Sequence, residues 1–178
     1  MLHDRDLLDR LSAFRPIRFD DIAFRATRLG LNPLAGSFTG GRWAHRDIVQ
    51  VLYTSLERDG AMAEIAYHLS QLTPKPSKPV QLHELRVAAR SALRLLWADL
   101  KDLGVDDAGY SSLNYARTRE IGAAVAFLEC DGLIAPSARW KCENLMLFLD
   151  KHSPGDKLEV VKSEEVNWTE WERRHRAS

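Results

Sequence analysis

Strand-like and helix-like segments follow one another irregularly along this chain, and this order constrains the fold more than any other feature. Residues 49–55 are rich in β-branched and aromatic side chains and predict a strand. Residues 59 to about 72 follow directly and carry the apolar stripe of an amphipathic helix. A doubly wound parallel sheet would repeat regular strand–helix units, and no such repeat is present. The sequence therefore predicts an α+β fold, with residues 1–178 forming one domain.

The remaining predicted elements are shorter. Helices are predicted in the opening segment up to Pro16, over residues 118–129 and around Trp168 and Trp171 in the tail. Strands are predicted at residues 22–27, 80–87, 133–135, 145–149 and 158–162. The alternation of residues 80–87 slips near Glu84, which indicates a bulge there. Residues 88–114 mix apolar and turn residues and give no clear prediction.

Residues 30–43 lack periodicity and hold four glycines, so they predict a long loop. Loops of this length are usually either functional or disordered. The loop ends in Gly40-Gly41-Arg42-Trp43. Glycines allow backbone to approach a ligand closely, and a guanidinium beside them can bind phosphate through paired hydrogen bonds. A glycine turn with an exposed arginine explains the same four residues equally well.

Charge and motifs exclude several function classes. The chain has 25 Lys and Arg against 25 Asp and Glu, so it lacks the basic excess of most nucleic-acid-binding proteins, and direct nucleic-acid binding is not expected. The phosphate loop, the dinucleotide fingerprint, the zinc helix motif and the nucleophile elbow are all absent. The six histidines are not paired at ligand spacing, so no metal site is expected. Any catalysis would use arginine, carboxylate, hydroxyl and aromatic groups.

The N-terminal segment has no apolar signal core, and no apolar run reaches the roughly 18 residues of a membrane span. We therefore expect a cytoplasmic protein without a membrane segment.

Four further side chains are candidates for a site, although each alone has an ordinary structural explanation. Arg25 lies in a predicted strand of otherwise small or apolar residues, where a surface arginine is the usual case. Tyr53 lies in a strand that reads as buried, and Glu64 lies away from the apolar stripe of its helix. Ser137 follows a turn, a short strand and a proline, as many turn serines do.

In combination these residues resemble the RES domain family. The resemblance rests on Phe24-Arg25, Gly40-Gly41-Arg42-Trp43, Val51-Leu52-Tyr53, Ala63-Glu64, residues 131–139 and residues 144–148, in that order. The family is named for an arginine, a glutamate and a serine. Here these would be Arg42, with Arg25 as a second arginine, Glu64 and Ser137. The match spans about residues 22–150, and it departs from the family pattern at Ala26 and at Ala44-His45.

The resemblance implies an ADP-ribosyltransferase-like split β-core with surrounding helices and a cleft for NAD. It also implies the toxin of a bacterial toxin–antitoxin pair, held inactive in a hetero-oligomer by an Xre-type antitoxin. NAD would be a substrate, no cofactor is expected, and inorganic phosphate is a possible co-substrate. The family's chemistries leave phosphorolysis and hydrolysis of NAD both open. Mono-ADP-ribosylation of a protein, or a catalytically silent module that binds NAD or the antitoxin, are the alternatives.

The same resemblance suggests roles for the candidates. Cleavage of the nicotinamide–ribose bond produces an oxocarbenium-like sugar that a nearby carboxylate stabilises, and this role would belong to Glu64. Arg25 and Arg42 would hold the pyrophosphate of NAD or an attacking phosphate. Tyr53 would stack on or orient the nicotinamide, and Ser137 would form a hydrogen bond with a polar edge of the substrate. The expected catalytic residues are thus Arg42, Glu64 and Ser137.

Overall fold

A computed structural model describes residues 3–176, so Met1 and Leu2 of the N-terminal segment lie outside the described residues. The helices are α1 (Arg5–Ser12), α2 (Arg58–Ser70), α3 (Trp97–Asp102), α4 (Asp107–Tyr110), α5 (Ala116–Phe127) and α6 (Trp168–His175). The strands are β1 (Ile17–Arg28), β2 (Val51–Ser55), β3 (Val80–Arg94), β4 (Gly132–Pro136), β5 (Glu143–Phe148) and β6 (Leu158–Val166). Each predicted helix and strand has a counterpart here, although several strands extend beyond their predicted bounds.

Five of the strands form an almost closed ring. β2 pairs with β5, β5 with β4 and β1 with β3 in antiparallel fashion, whereas β3 and β4 are parallel. β1 meets β2 at one register pair, Phe24 and Ser55, so the ring nearly opens at that point. β6 lies outside the ring and pairs with the first half of β3. The mixed sheet with helices around it confirms the predicted α+β class.

The two strands β1 and β3 extend farthest beyond the bounds that the sequence predicted. β3 continues beyond residue 87 to Arg94, and Ala88, Ala89 and Ala92 in this extension are buried. Alanine has weak strand propensity, so local pattern gives no signal there, and the extension forms because it packs between β1 and β4. β1 likewise begins at Ile17, five residues before the predicted start, within a stretch that is largely exposed. The predicted irregularity near Glu84 is confirmed by a register shift between β3 and β6.

A first apolar cluster fills the space that the ring encloses. Every strand of the ring contributes to it, among them Ala23 from β1, Leu52 from β2, Leu85 from β3, Ile134 from β4 and Leu147 from β5. All five side chains are at most 3% exposed. Since the apolar side chains of five strands meet there, burial of this cluster stabilises the ring as a unit.

Helices cover the ring in two separate layers. Leu7 of α1, Leu100 of α3 and Ile121 of α5 belong to one cluster, which packs on outward-facing residues of β2, β3, β4 and β5. Met62 of α2 and Trp168 of α6 belong to another, which packs on the first half of β3. The near-opening of the ring lies between these two layers. No helix within residues 3–176 is long and apolar enough to cross a membrane.

Candidate active site

A cleft of about 600 Å³ lies over the near-opening between β1 and β2. Phe24 and Ser55, the register pair that joins these two strands, both line it. One wall is a face of α2 made by Ala61, Glu64, Ile65 and His68, whose spacing places them on the same side of a helix. Further lining residues come from the loop before β2, from α4 and α5, and from the turn after β4. The cleft therefore joins the two helical layers.

The cleft is strongly basic although the whole chain has a formal net charge of zero. Four arginines line it: Arg25, Arg42, Arg119 and Arg139. Glu64 supplies the one carboxylate among the lining residues of the described chain. Fixed positive charge in a concave site attracts anions, because low-dielectric walls focus the field there. The cleft is thus suited to an anionic ligand. The Glu64 carboxylate is a negative charge among these positive ones.

The glycine turn before Arg42 is shaped by close contacts. Gly40 has a φ of +80°, which glycine adopts without strain. A β-carbon on Gly41 would lie 2.5 Å from the Tyr53 hydroxyl oxygen, so a larger residue cannot occupy this position without a shift. The Gly41 carbonyl also accepts a hydrogen bond from Nε of Arg119 at 2.8 Å. Local backbone freedom and close packing together explain the glycine pair.

Tyr53 holds the same turn from β2. Its hydroxyl oxygen accepts a hydrogen bond from the backbone N–H of Trp43 at 3.3 Å, and its ring packs against Gly41. Burial raises the pKa of Tyr53 to about 12, although the Trp43 N–H and nearby charges oppose the shift. Tyr53 is therefore neutral at physiological pH and cannot act as a base. It lines the cleft, and stacking on a nicotinamide ring stays a prediction.

Arg42 lies between two aromatic rings. The guanidinium carbon is 4.5 Å from the ring centre of Tyr110 and 4.7 Å from that of Tyr115, which are cation–π distances. Tyr110 is fixed in turn, since its hydroxyl donates to the Pro136 carbonyl at 2.7 Å. Nη1 of Arg42 is shielded from solvent and has no hydrogen-bond partner in the described part of the chain. A buried donor without an acceptor is costly, so this nitrogen favours a ligand with an acceptor oxygen.

Arg25 is partly used by the fold. Its Nη1 donates to the carbonyls of Pro33 at 3.1 Å and Ala35 at 2.8 Å, which fixes the first half of the loop after β1. Burial lowers the pKa of the Arg25 guanidinium from its usual value. Both hydrogen bonds use Nη1, and the side chain also lines the cleft. Arg25 therefore anchors the loop that carries Arg42, and its contact with the pyrophosphate stays a prediction.

Glu64 is oriented by two donors that reach the same oxygen. Oε1 accepts a hydrogen bond from the Ser137 hydroxyl at 3.2 Å and another from Nδ2 of Asn144 at 3.2 Å. The Ser137 oxygen also accepts the backbone N–H groups of Arg139 and Trp140, at 3.1 and 3.3 Å. Ser137 is buried and is not among the described residues that line the cleft. It positions Glu64, and the other oxygen of this carboxylate, Oε2, accepts no hydrogen bond from residues 3–176.

Several cleft residues were not predicted from the sequence. Tyr110 comes from the segment that gave no clear pattern, and Tyr115 directly follows that segment; two tyrosines framing a short turn were the available signal. Arg119 lies on α5, and nothing in its neighbours distinguishes it from an exposed helical arginine. Arg139 lies 3.4 Å above the ring centre of Tyr67. Asn144 is the second residue of β5, just before its buried apolar part, and this polar side chain was the overlooked signal.

The described residues offer no obvious metal site. Across residues 3–176, no three His, Cys, Asp or Glu side chains are grouped so that they could hold a metal ion.

The fold and the cleft together define a class of protein. An almost closed mixed sheet with two helical layers, and a basic cleft containing one oriented carboxylate, is an α+β domain built to bind an anionic ligand. The model of the RES domain family matches residues 18–169. This match covers most of the chain, and the chain belongs to the RES domain family.

The chain is also similar to a solved structure. A chain in the crystal structure of the M. tuberculosis MbcT–MbcA toxin–antitoxin complex superposes with a TM-score of 0.82 at 19% sequence identity. The alignment covers 98% of this chain and 99% of that chain. At this identity the likeness establishes a shared fold over nearly the whole length. No curated protein sequence matches the chain.

Proposed function

We propose that this protein is the toxin of a bacterial toxin–antitoxin pair and that it destroys NAD by cleaving the nicotinamide–ribose bond. One observation carries the proposal: the Glu64 carboxylate is oriented by two hydrogen bonds inside a cleft that four arginines also line. Cleavage of NAD calls for both features. The arginines match the anionic pyrophosphate, and the carboxylate matches the ribose, which becomes cationic as the bond breaks. Membership of the RES domain family supports the same conclusion.

Charge and volume suit a dinucleotide. The pyrophosphate of NAD carries two negative charges, and among the described residues the cleft offers four arginines against one carboxylate. A cleft of about 600 Å³ is within the usual range for small-molecule sites. Nη1 of Arg42 would gain the acceptor that it lacks if a phosphate oxygen displaced the groups that now shield it. Arg25, on the neighbouring strand, would add a second positive charge.

Glu64 would act on the bond that breaks. The electron pair of the bond from C1′ to the ring nitrogen leaves with nicotinamide, which departs as a neutral molecule and needs no acid. Positive charge then develops on the ribose, where Oε2 of Glu64 would stabilise it. Oxygen of phosphate or water attacks C1′. The product is ADP-ribose-1″-phosphate in phosphorolysis, or ADP-ribose and a proton in hydrolysis.

A partner protein is part of the proposal. The MbcT–MbcA structure contains a toxin and an antitoxin, and the shared fold extends over 98% of this chain. We expect a cognate antitoxin of the Xre type to form a hetero-oligomer with this protein in the cytoplasm and to close its cleft. NAD would be a substrate rather than a cofactor, and any contact with DNA would be made by the antitoxin.

Mass spectrometry of NAD incubated with the purified protein, with and without inorganic phosphate, tests the reaction. Loss of NAD with release of nicotinamide and ADP-ribose-1″-phosphate, only when phosphate is present, would establish phosphorolysis. Free ADP-ribose under both conditions would establish hydrolysis. Nicotinamide release with a mass increase of one ADP-ribose on a protein would instead identify a mono-ADP-ribosyltransferase. Intact NAD with a folded protein would refute cleavage.

The antitoxin is tested separately. The cognate antitoxin, purified with this chain as a complex, should lower NAD loss compared with the chain alone. Equal rates for the complex and the free chain would contradict a blocked cleft.

A further inference from the structure

Two of the buried polar atoms that lack a partner within residues 3–176 belong to residues of the cleft. One is the donor Nη1 of Arg42, and the other is the acceptor Oδ1 of Asn144. Asn144 lies on β5 opposite Ser55 of β2, beside the near-opening of the ring. A buried carbonyl oxygen without a donor costs about 1–3 kcal/mol. Such an oxygen in a ligand cleft indicates a hydrogen-bond donor that a ligand supplies.

The direction of the Asn144 amide is fixed by its neighbour. A carboxylate only accepts hydrogen bonds, so Nδ2 and not Oδ1 must face Oε1 of Glu64, at 3.2 Å. Oδ1 consequently points away from the carboxylate. Because this oxygen is shielded from solvent, a ligand that reaches it must displace the side chains that now cover it.

We infer that Asn144 is a specificity-determining residue that selects substrates whose leaving ring carries a primary carboxamide. This inference rests on the proposed cleavage of NAD. Glu64 acts at the bond between the ribose and the leaving ring. Asn144, which contacts Glu64, therefore lies close to the substituents of that ring. The carboxamide N–H donates to Oδ1 of Asn144. A carboxylate in its place has no proton to donate and meets both Oδ1 and the negative charge of Glu64.

Ser137 provides the contrast that makes this inference specific. It also donates to Oε1 of Glu64, but its oxygen already accepts two backbone N–H groups. Its hydrogen-bonding capacity is filled by the protein, whereas Asn144 keeps one acceptor free for a ligand. Loss of either side chain removes one donor from Glu64. Loss of Asn144, but not loss of Ser137, should also change the preference for one substrate over another.

The test compares NAD with nicotinic acid adenine dinucleotide, which differs by a carboxylate in place of the carboxamide. For the wild-type protein we expect kcat/KM to favour NAD by roughly 10-fold or more, from one hydrogen bond lost and one acceptor left unpaired. Asn144→Leu should lower this preference at least about 3-fold, because it removes the hydrogen bond and leaves the repulsion from Glu64 in place. Ser137→Ala should lower kcat/KM for both dinucleotides and leave their ratio unchanged. Asn144→Ser is the second variant if Asn144→Leu does not fold.

Binding without turnover separates this inference from the proposed function. In Glu64→Gln the side-chain oxygen can still accept both hydrogen bonds, so calorimetric Kd values for the two dinucleotides can be compared with and without the Asn144 substitution. A wild-type protein that binds neither dinucleotide and leaves NAD intact overturns both proposals. NAD cleavage combined with an unchanged selectivity ratio in the Asn144 variants, by kcat/KM and by Kd, overturns the role of Asn144 alone.

Discussion

Replacement of Glu64 by glutamine changes the charge of the cleft with the least change of shape. Glutamine has nearly the same volume and keeps a side-chain oxygen, so Ser137 and Asn144 can still donate to it as they do to Oε1. The substitution removes the one carboxylate found among the lining residues of the described chain. Any large loss of activity in Glu64→Gln therefore reports the negative charge itself.

The expected loss follows from the distance over which the charge acts. A carboxylate about 4 Å from a developing unit charge contributes about 4 kcal/mol at an effective dielectric constant of about 20. Removal of one preorganised group that stabilises a transition state lowers kcat by roughly 100-fold to 1000-fold, which agrees with that energy. We expect Glu64→Gln to lower kcat within this range. KM should change less, because the charge on the ribose develops as the bond breaks.

The assay is the initial rate of NAD loss, with thermal unfolding as a check of folding. Glu57→Gln is a matched control, because Glu57 precedes the same helix α2, is exposed, makes no side-chain capping bond and does not line the cleft. It should keep kcat within about 2-fold, since an exposed charge contributes little. A folded Glu64→Gln protein that retains more than about one-tenth of wild-type kcat would refute the assigned role.

Three further perturbations test the surroundings of the cleft. Gly41→Ala places a methyl group 2.5 Å from the Tyr53 hydroxyl oxygen, so kcat/KM for NAD should fall at least about 10-fold; unchanged kinetics would show that the turn tolerates the shift. Ser137→Ala leaves two backbone N–H groups without their acceptor, so urea titration should show a free energy of unfolding lower by about 1–3 kcal/mol. Burial and the Arg25 charge lower the pKa of His83 from 6.5, so the unfolded chain binds the proton more tightly. The free energy of unfolding should therefore fall as pH drops below 6.5, and it should fall less in His83→Gln. Equal pH dependence of thermal unfolding in the wild-type and variant proteins would contradict this.

Local sequence was sufficient to locate a site residue where its side-chain chemistry and the local backbone pattern pointed to the same position. The glycine pair before Arg42 indicated a turn with a guanidinium at its end, and the structure shows that turn with a φ of +80° at Gly40. Glu64 was distinguished by its position off the apolar stripe of its helix. In the structure α2 is buried on several sides, so Glu64 faces a cleft rather than bulk solvent. The pattern located the carboxylate but could not reveal what lies opposite it.

The remainder of the cleft depends on contacts between distant segments. Tyr110 contacts Arg42 because α4 packs against the loop before β2, and no local period encodes that packing. Asn144 reaches Glu64 across 80 residues of sequence, and Ser137 reaches it across 73. Three hydrogen bonds inside the protein involve the Ser137 hydroxyl, and the local sequence carries no sign of them; its contact with substrate stays a prediction. Contacts between segments so far apart in sequence can be assigned only from the three-dimensional structure.

The topology explains why the candidate residues meet at one place. β1 and β2 share a single register pair, so the connection between them must cross the weakest junction of the ring. Arg25 fixes the start of that connection through the Pro33 and Ala35 carbonyls, and Tyr53 fixes its end through Trp43. The loop between β1 and β2 therefore places Arg42 at the near-opening of the ring. The helix that follows β2 turns back over the same near-opening and presents Glu64 to it, so a short stretch of chain encloses the cleft on two sides.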